Sequence, residues 1–170
     1  MMKLISIKEK QQKDAAASKQ AVKQSVGELR LQKELADLSL PKNMSINFPD
    51  GVDKIMHFEI TIKPEEGIYK DGSFIFDFSI LDTYPYEAPK VLCKTKVFHP
   101  NIDREGRICL NILREDWKPV LSILSVFYGL QFLFSSPNPE DPLNKEAAQM
   151  MQDNARQFEM IVQRSIANGK

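Results

Sequence analysis

Residues 56–62 read Met-His-Phe-Glu-Ile-Thr-Ile, and residues 74–80 read Phe-Ile-Phe-Asp-Phe-Ser-Ile. In both, the even positions are apolar: Met56, Phe58, Ile60 and Ile62, then Phe74, Phe76, Phe78 and Ile80. A period of two places these side chains on one face of a strand. Gly67 and Asp71-Gly72 mark the turn region between the two runs. Upstream, Met44 to Phe48 gives a short strand that ends in the turn sequence Pro49-Asp50-Gly51. Downstream, Val91 to Val97 gives a fourth, weaker strand. The simplest topology is a sequential antiparallel meander of four strands with one face covered by a helix, an α+β arrangement.

The helix patterns lie on either side of this sheet. Over residues 25–38, Val26, Leu29, Leu31, Leu35 and Leu38 form a broad apolar stripe. Ser25 with Glu28 three residues on is a capping-box pattern, and Pro41 stops the helix. Residues 122–135, capped by Ser122, are apolar almost all round, which predicts a central buried helix. After Pro137, Pro139 and Pro142, residues 143–166 predict one or two further helices packed through Ala147, Ala148, Met151, Phe158 and Ile161. Residues 100–119 show no regular period. A loop of about twenty residues inside a compact domain is usually functional or disordered. Ile102, Ile108, Leu110, Ile112, Leu113 and Trp117 argue against disorder.

The chain has 170 residues, which fits one domain with an appendage. Lysine plus arginine and aspartate plus glutamate both number 23, so the whole carries no nucleic-acid or membrane signal. The charge is unevenly placed. Residues 1–24 carry six lysines against Glu9 and Asp14, and residues 25–170 carry the balancing negative charge. Within this arm, residues 8–24 read as a weakly ordered linker behind an aliphatic hook of Leu4, Ile5 and Ile7. A solvated tail has no physical use for three aliphatic residues, so the hook is expected to dock into a groove. The division is therefore 1–24, a flexible extension with a docking hook, and 25–170, a folded core. No signal peptide, myristoylation site or membrane span is visible, which predicts an intracellular protein in reducing surroundings.

Two cysteines, Cys93 and Cys109, cannot make a disulfide scaffold, and metal-type spacing is absent. Cys109 lies in the irregular segment after Asn101 and Gly106, where a thiol is a plausible nucleophile. An arbitrary cysteine between Ile108 and Leu110 is more often a small buried hydrophobe, and Cys93 reads that way. His99 precedes Pro100, so its backbone is extended and a turn-locking hydrogen bond is expected rather than a proton relay. His57, on an alternating strand, reads as structural. Pro85-Tyr86 and Lys118-Pro119-Val120 expose apolar groups in turns and together could form a contact patch.

Taken together, His99-Pro100-Asn101, Cys109-Leu110-Asn111-Ile112-Leu113 and Trp117-Lys118-Pro119 resemble the active-site run of ubiquitin-conjugating enzymes. Tyr84-Pro85-Tyr86-Glu87-Ala88-Pro89-Lys90 is similar to that family's tyrosine-proline segment, and Pro137-Asn138-Pro139-Glu140-Asp141-Pro142-Leu143 to its proline-rich loop. Order and spacing agree over residues 26–166. The runs from Cys109 to Leu121 and from Pro137 to Ala148, with the start Met-Met-Lys-Leu-Ile-Ser-Ile-Lys, look like the branch dedicated to the Nedd/Rub modifier. One departure is Ala88, which stands where the family usually has the first of two prolines. Its absence should loosen that turn slightly.

The resemblance implies the ubiquitin-conjugating fold and a transferase that carries a Nedd/Rub-type modifier as a thioester on Cys109. It implies no bound cofactor or metal, because ATP is consumed by the heterodimeric activating enzyme; no glycine-rich phosphate loop is present. By resemblance, Asn101 steadies the loop and offers its amide to the oxyanion, and Asp141 orients the incoming lysine and helps it lose a proton. Leu4, Ile5 and Ile7, with the helix over 26–38, are candidates for the activating enzyme. Met1 is a candidate for a co-ligase pocket. Pro85, Tyr86, Lys118, Pro119 and Val120 are candidates for a RING-type ligase. Cullin lysines are the implied substrate, a monomer the implied state, and cytoplasm and nucleus the implied location. Three other readings make different predictions: a conjugating enzyme for ubiquitin or another modifier, a non-catalytic binding variant, and a thiol hydrolase built on Cys109 and His99.

Overall fold

The alternating runs form the middle of the sheet. A computed structural model describes residues 23–168, so Met1 and the hook of Leu4, Ile5 and Ile7 lie outside the described residues. Strands β1 (Met44–Asn47), β2 (His57–Ile62), β3 (Phe74–Ser79) and β4 (Lys90–Cys93) lie in sequence order, and every neighbouring pair is antiparallel. The register sets Phe58 opposite Phe78, Ile60 opposite Phe76 and Ile62 opposite Phe74. All six are buried on one face. The fourth strand is shorter than the residues suggest. Past Cys93 the ladder frays: the Lys94 amide still donates to the Ile75 carbonyl at 2.8 Å, but the Ile75 amide turns to the Thr95 hydroxyl at 2.9 Å, and the outward-facing Cys93 amide donates to the Gly106 carbonyl at 2.8 Å.

Helix α1 (Val26–Ala36) precedes the sheet. A 3-10 turn (Asn111–Leu113) interrupts the long loop. Helices α2 (Ile123–Ser135), α3 (Lys145–Asp153) and α4 (Ala155–Asn168) follow. Ser122 caps α2 in a full capping box with Ser125. Ser25 caps α1 by accepting from the Glu28 amide at 3.0 Å, while the Glu28 carboxylate takes the Gln24 side chain instead of closing the box.

α2 lies across the buried face of the sheet. Phe134 stacks on Phe74 with ring centroids 4.3 Å apart, and Phe127 meets Phe58 and Phe78 edge-on. Each such aromatic pair adds about 0.5–1.5 kcal/mol beyond simple burial. The apolar composition of α2 nevertheless overstates its burial. Phe132 is 61 % and Tyr128 50 % exposed. The same correction applies to α1, where Leu31 is buried and Leu35 and Leu38 pack on the core, but Val26 and Leu29 face outward. A run of apolar residues wider than the contact available to it leaves part of itself at the surface.

α1 is fastened by close approach and by one carboxylate. A Cβ at Gly27 would lie 2.6 Å from the Leu81 carbonyl oxygen, so only glycine permits this contact. Glu34 accepts from the Tyr84 hydroxyl at 2.8 Å and from the Ile123 amide at 2.8 Å. It thereby satisfies a free N–H at the start of α2 and links three segments. Arg30 completes the cluster, donating to Glu34 and to the Leu121 carbonyl.

The two histidines oppose each other in pH dependence. Hydrogen bonds to Asp50 (2.6 Å) and Asp77 (2.8 Å) raise the pKa of His57. Its contribution is full below the unfolded value of about 6.5 and is lost as pH rises through the folded value. His99, fully buried, is pushed down to about 4 by desolvation. Its neutral form favours the fold above about 6.5, and that contribution is lost on acidification toward 4. Stability between pH 5 and 8 should therefore peak near the ordinary histidine value. In urea titrations, His57→Gln should flatten the alkaline decline and leave the acidic one. An unchanged alkaline limb would show that the Asp50–His57–Asp77 contacts contribute nothing.

Candidate active site

The segment between Phe98 and Trp117 is irregular but pinned at many points. His99 locks its entry. The neutral ring donates from Nε2 to the Leu133 carbonyl at 2.8 Å and accepts at Nδ1 from the Asn101 amide at 2.9 Å. Both ring nitrogens are thus engaged in backbone contacts, and the turn-locking expectation for His99 holds. Single bridges join His99 to Ile102 and Ile102 to Ile108. Asp103 then closes a tight turn, accepting at Oδ1 from the amides of Glu105 and Arg107. Those bonds and Arg107 hold its carboxyl below the usual range, against a desolvation that acts the other way. Gly106, at φ +81°, meets the end of β4.

Cys109 follows directly. Its amide donates to the Asn101 carbonyl at 2.8 Å, and its side chain is half-buried. Asp141 Oδ2 stands 3.9 Å from the sulfur and Arg114 Nη1 stands 3.7 Å from it. Burial pushes the Cys109 thiol pKa up, Arg114 pulls it down, and Asp141 and Glu115 push it up further. Cys93 is a different kind of thiol. It is buried, donates to the Thr95 carbonyl, and is pushed up to about 12 by desolvation, which leaves it inert.

Asn101 is 2 % exposed. Its Nδ2 donates to the carbonyls of Asn138 (2.8 Å) and Asp141 (3.4 Å), and its Oδ1 accepts from the Asn138 amide (2.8 Å). One side chain therefore staples the proline-rich loop to the segment carrying Cys109. The carbonyl of Pro100 accepts from the amides of Leu143 and Asn144, which secures the other end of that loop. Cys109, Asn101 and Asp141 come together although the last lies 32 residues from the thiol. Arg114 is a member that the sequence pattern does not single out. Its signal is positional: it caps the 3-10 turn that follows the thiol.

Two of the exposed turns also meet. Trp117 Nε1 donates to the Pro85 carbonyl at 2.8 Å, and its ring lies against Tyr84. Tyr86 is 74 % and Val120 82 % exposed. Lys118 and Pro119 are exposed beside them. Pro85 departs from the expected patch: it is buried and acts as the acceptor that holds the two turns together. Ala88 lines a groove of about 700 Å³ between this turn and the run from Arg107 to Trp117. Among the described residues no cluster of three or more His, Cys, Asp and Glu could hold a metal ion, and no helix is long and apolar enough to cross a membrane.

Comparison with known proteins agrees with this geometry. The family profile described as "Ubiquitin-conjugating enzyme" matches residues 30–166. The chain is 53 % identical to an Arabidopsis thaliana protein described as "Probable NEDD8-conjugating enzyme Ubc12-like", covering 100 % of this chain and 95 % of that one. It is 50 % identical to the Drosophila melanogaster "Nedd8-conjugating enzyme UbcE2M", over 99 % of this chain and 93 % of the relative. Among solved structures, "S. cerevisiae Ubc12" superposes with a TM-score of 0.81 at 40 % identity, covering 99 % of this chain and 94 % of that one. A four-stranded meander under one central helix, a half-exposed thiol on an irregular loop, and a profile match across most of the length leave one assignment: the chain belongs to the ubiquitin-conjugating enzyme family.

Proposed function

We propose that this enzyme accepts a NEDD8-type modifier from its activating enzyme as a thioester on Cys109 and passes it to a substrate lysine. The observation that carries the reading is the setting of Cys109, half-exposed between Arg114 and Asp141, while the other cysteine is buried and inert. The choice of modifier follows the names of relatives about half identical over nearly the whole chain.

In loading, the Cys109 sulfur attacks the carbonyl carbon of the activating enzyme's thioester. The new C–S bond forms and the donor thiolate leaves. In transfer, the lysine nitrogen attacks the same carbonyl, the C–N bond forms, and the electron pair of the broken C–S bond returns to Cys109. The amine must lose a proton, which is unfavourable for a group with a pKa of about 10.4. Asp141, 3.9 Å from the sulfur, stands where it can orient the ammonium and take up that proton. Asn101 keeps Asp141 there; the oxyanion role that the resemblance gives its amide requires it to exchange one of its two loop-carbonyl bonds for that contact. No histidine takes part: His99 has both ring nitrogens bonded to backbone, which also weighs against a thiol hydrolase.

Partners follow from surfaces. Leu4, Ile5 and Ile7 suit an apolar groove on the activating enzyme, with Val26 and Leu29 of α1 as a second contact, and Met1 remains the candidate for a co-ligase. Tyr86, Lys118, Pro119 and Val120 suit a RING-type ligase, and cullin lysines suit as acceptors. Tyr128 and Phe132 leave an apolar face on α2, whose Gly129 lies against Leu110 and Ile112 beside the thiol. That face is placed to rest the carried modifier. The enzyme acts as a monomer in the cytoplasm and nucleus.

The test is a loading assay with purified chain, ATP, NEDD8 and its activating enzyme, resolved on a gel with and without reductant, beside a lane with ubiquitin and its own activating enzyme. The expected result is a reductant-sensitive adduct with NEDD8 only, absent in Cys109→Ala and strongly reduced when residues 1–24 are deleted. An adduct with ubiquitin only would overturn the modifier. No adduct with either would overturn the carrier role.

A further inference from the structure

The Arg114 guanidinium is placed in an unusual way for a surface arginine. Its Nη2 donates to the Ile108 carbonyl at 3.3 Å, and its Nη1 points to the Cys109 sulfur at 3.7 Å. Its backbone is fixed as well. The Arg114 amide donates to the Asn111 carbonyl at 2.9 Å, closing the 3-10 turn, and its carbonyl accepts from the Trp117 amide at 3.3 Å. Glu115 and Asp116 follow it in the chain, yet among the described residues Arg114 makes no ion pair with a carboxylate. Among the same residues Arg30, Arg104 and Arg107 do, while Arg156 and Arg164 do not, so what sets Arg114 apart is its aim at the sulfur and not its lack of an ion pair. A cation that has carboxylates next in sequence but is directed at a sulfur and a carbonyl is aimed rather than merely solvated.

We propose that Arg114 is a catalytic residue that stabilises the Cys109 sulfur as an anion, both when it attacks during loading and when it departs during transfer. The same atom is nucleophile in the first step and leaving group in the second, so one fixed cation serves both. In loading, the thiol proton passes to solvent and the sulfur electron pair forms the bond to the carbonyl carbon. In transfer, the C–S bond breaks as the amine adds, and the pair returns to sulfur next to the guanidinium. The charges acting on the sulfur are Arg114 on one hand and Asp141 and Glu115 on the other. Without Arg114, burial and the two carboxylates act unopposed, and all three disfavour the thiolate. The inference rests on Cys109 being the carrier.

Alkylation tests it without modifier or partner. The full chain and its Arg114→Gln and Arg114→Lys variants are treated with iodoacetamide from pH 6 to 10, and the rate at Cys109 is followed by mass spectrometry of its peptide. Buried Cys93 serves as the internal unreactive thiol. Arg114→Gln should move the midpoint up by about 0.5–1 pH unit, making alkylation at pH 7 about three- to tenfold slower. Arg114→Lys should recover most of that shift. Transfer from a pre-loaded thioester to free lysine should slow in Arg114→Gln and recover in Arg114→Lys. An unmoved midpoint in Arg114→Gln would reduce Arg114 to a support for Ile108, and equal shifts in both variants would attribute the effect to shape rather than charge. Either result overturns the proposal while leaving the carrier role intact. A failed loading assay with this pH shift present would do the reverse.

Discussion

Replacing Asn101 with alanine is expected to slow transfer of the modifier to lysine by about a hundredfold, while loading from the activating enzyme falls much less. The asymmetry follows from what the side chain holds. Asn101 makes three hydrogen bonds, all to backbone atoms of Asn138 and Asp141. Those bonds fix the loop that places the Asp141 carboxylate 3.9 Å from the sulfur. Loading requires the thiol and the groups that stabilise its anion, whereas transfer also requires an oriented amine and a stabilised oxyanion. Loss of one oxyanion donor typically costs about 10²–10³ in rate, and misplacing a positioning group by an ångström can cost a similar amount. Two variants separate the contributions. Asn101→Asp keeps the acceptor that meets the Asn138 amide but turns the donor face into a carboxylate oxygen facing two carbonyls, which is repulsive. It should lower the melting temperature more than Asn101→Ala. Single-turnover discharge of the pre-loaded thioester to free lysine gives the rate. Equal losses in loading and discharge would reject the assigned division of labour. An Asp variant as stable as the Ala variant would reject the staple.

Which features were visible in the sequence depends on whether a local pattern carried them. The sheet was legible because Phe58, Ile60 and Ile62 face Phe78, Phe76 and Phe74 in register, and an alternating pattern records one buried face directly. Helix ends were legible through Ser25, Ser122 and the prolines, which act on neighbouring backbone groups. Burial of helix faces was not. Val26, Leu29, Tyr128 and Phe132 are apolar and exposed, because a one-dimensional pattern cannot say where the neighbouring element ends. The early end of β4 was hidden for a similar reason. There the Ile75 amide of β3 turns to the Thr95 hydroxyl rather than to a backbone carbonyl, and a side-chain bond between strands leaves no mark in an alternating pattern. At the site, the resemblance supplied Cys109, Asn101 and Asp141, and composition alone would have left Cys109 a buried hydrophobe. The structure supplied Arg114, since an arginine on a loop has no period to reveal where its guanidinium goes. It also moved Pro85 from the surface to a buried acceptor for Trp117.

Gly106→Ala should be among the most damaging single substitutions near the site, lowering unfolding free energy by about 3 kcal/mol or more in urea titrations. Two independent strains add. The residue sits at φ +81°, where a side chain is disfavoured by about 1–2 kcal/mol. A Cβ there would also lie 2.2 Å from the Cys93 carbonyl oxygen, and 3.1 Å from the carbon of the same group. The clashing atoms are backbone, and Cys93 ends a strand held by β3, so the loop must move instead. That movement breaks the bond from the Cys93 amide to the Gly106 carbonyl, leaving a donor unpaired at the sheet edge. It also disturbs the Asp103 turn, whose carbonyl accepts from the Gly106 amide at 3.1 Å. Only Arg107 and Ile108 separate this turn from Cys109, so the displacement reaches the thiol, its backbone bond to Asn101 and the Ile108 carbonyl that seats Arg114. The variant should therefore lose loading even at temperatures where most of it is folded. Gly51→Ala is the control, because Gly51 also has a positive φ, at +108°, but lies in the turn between β1 and β2, and the nearest atom to its added Cβ is the flexible Asp53 side chain. It should retain loading and cost less stability. A Gly106→Ala protein that loads normally and loses under about 1 kcal/mol would mean that the loop yields around residue 106 without moving Cys109, and that the attachment to β4 does not position the thiol.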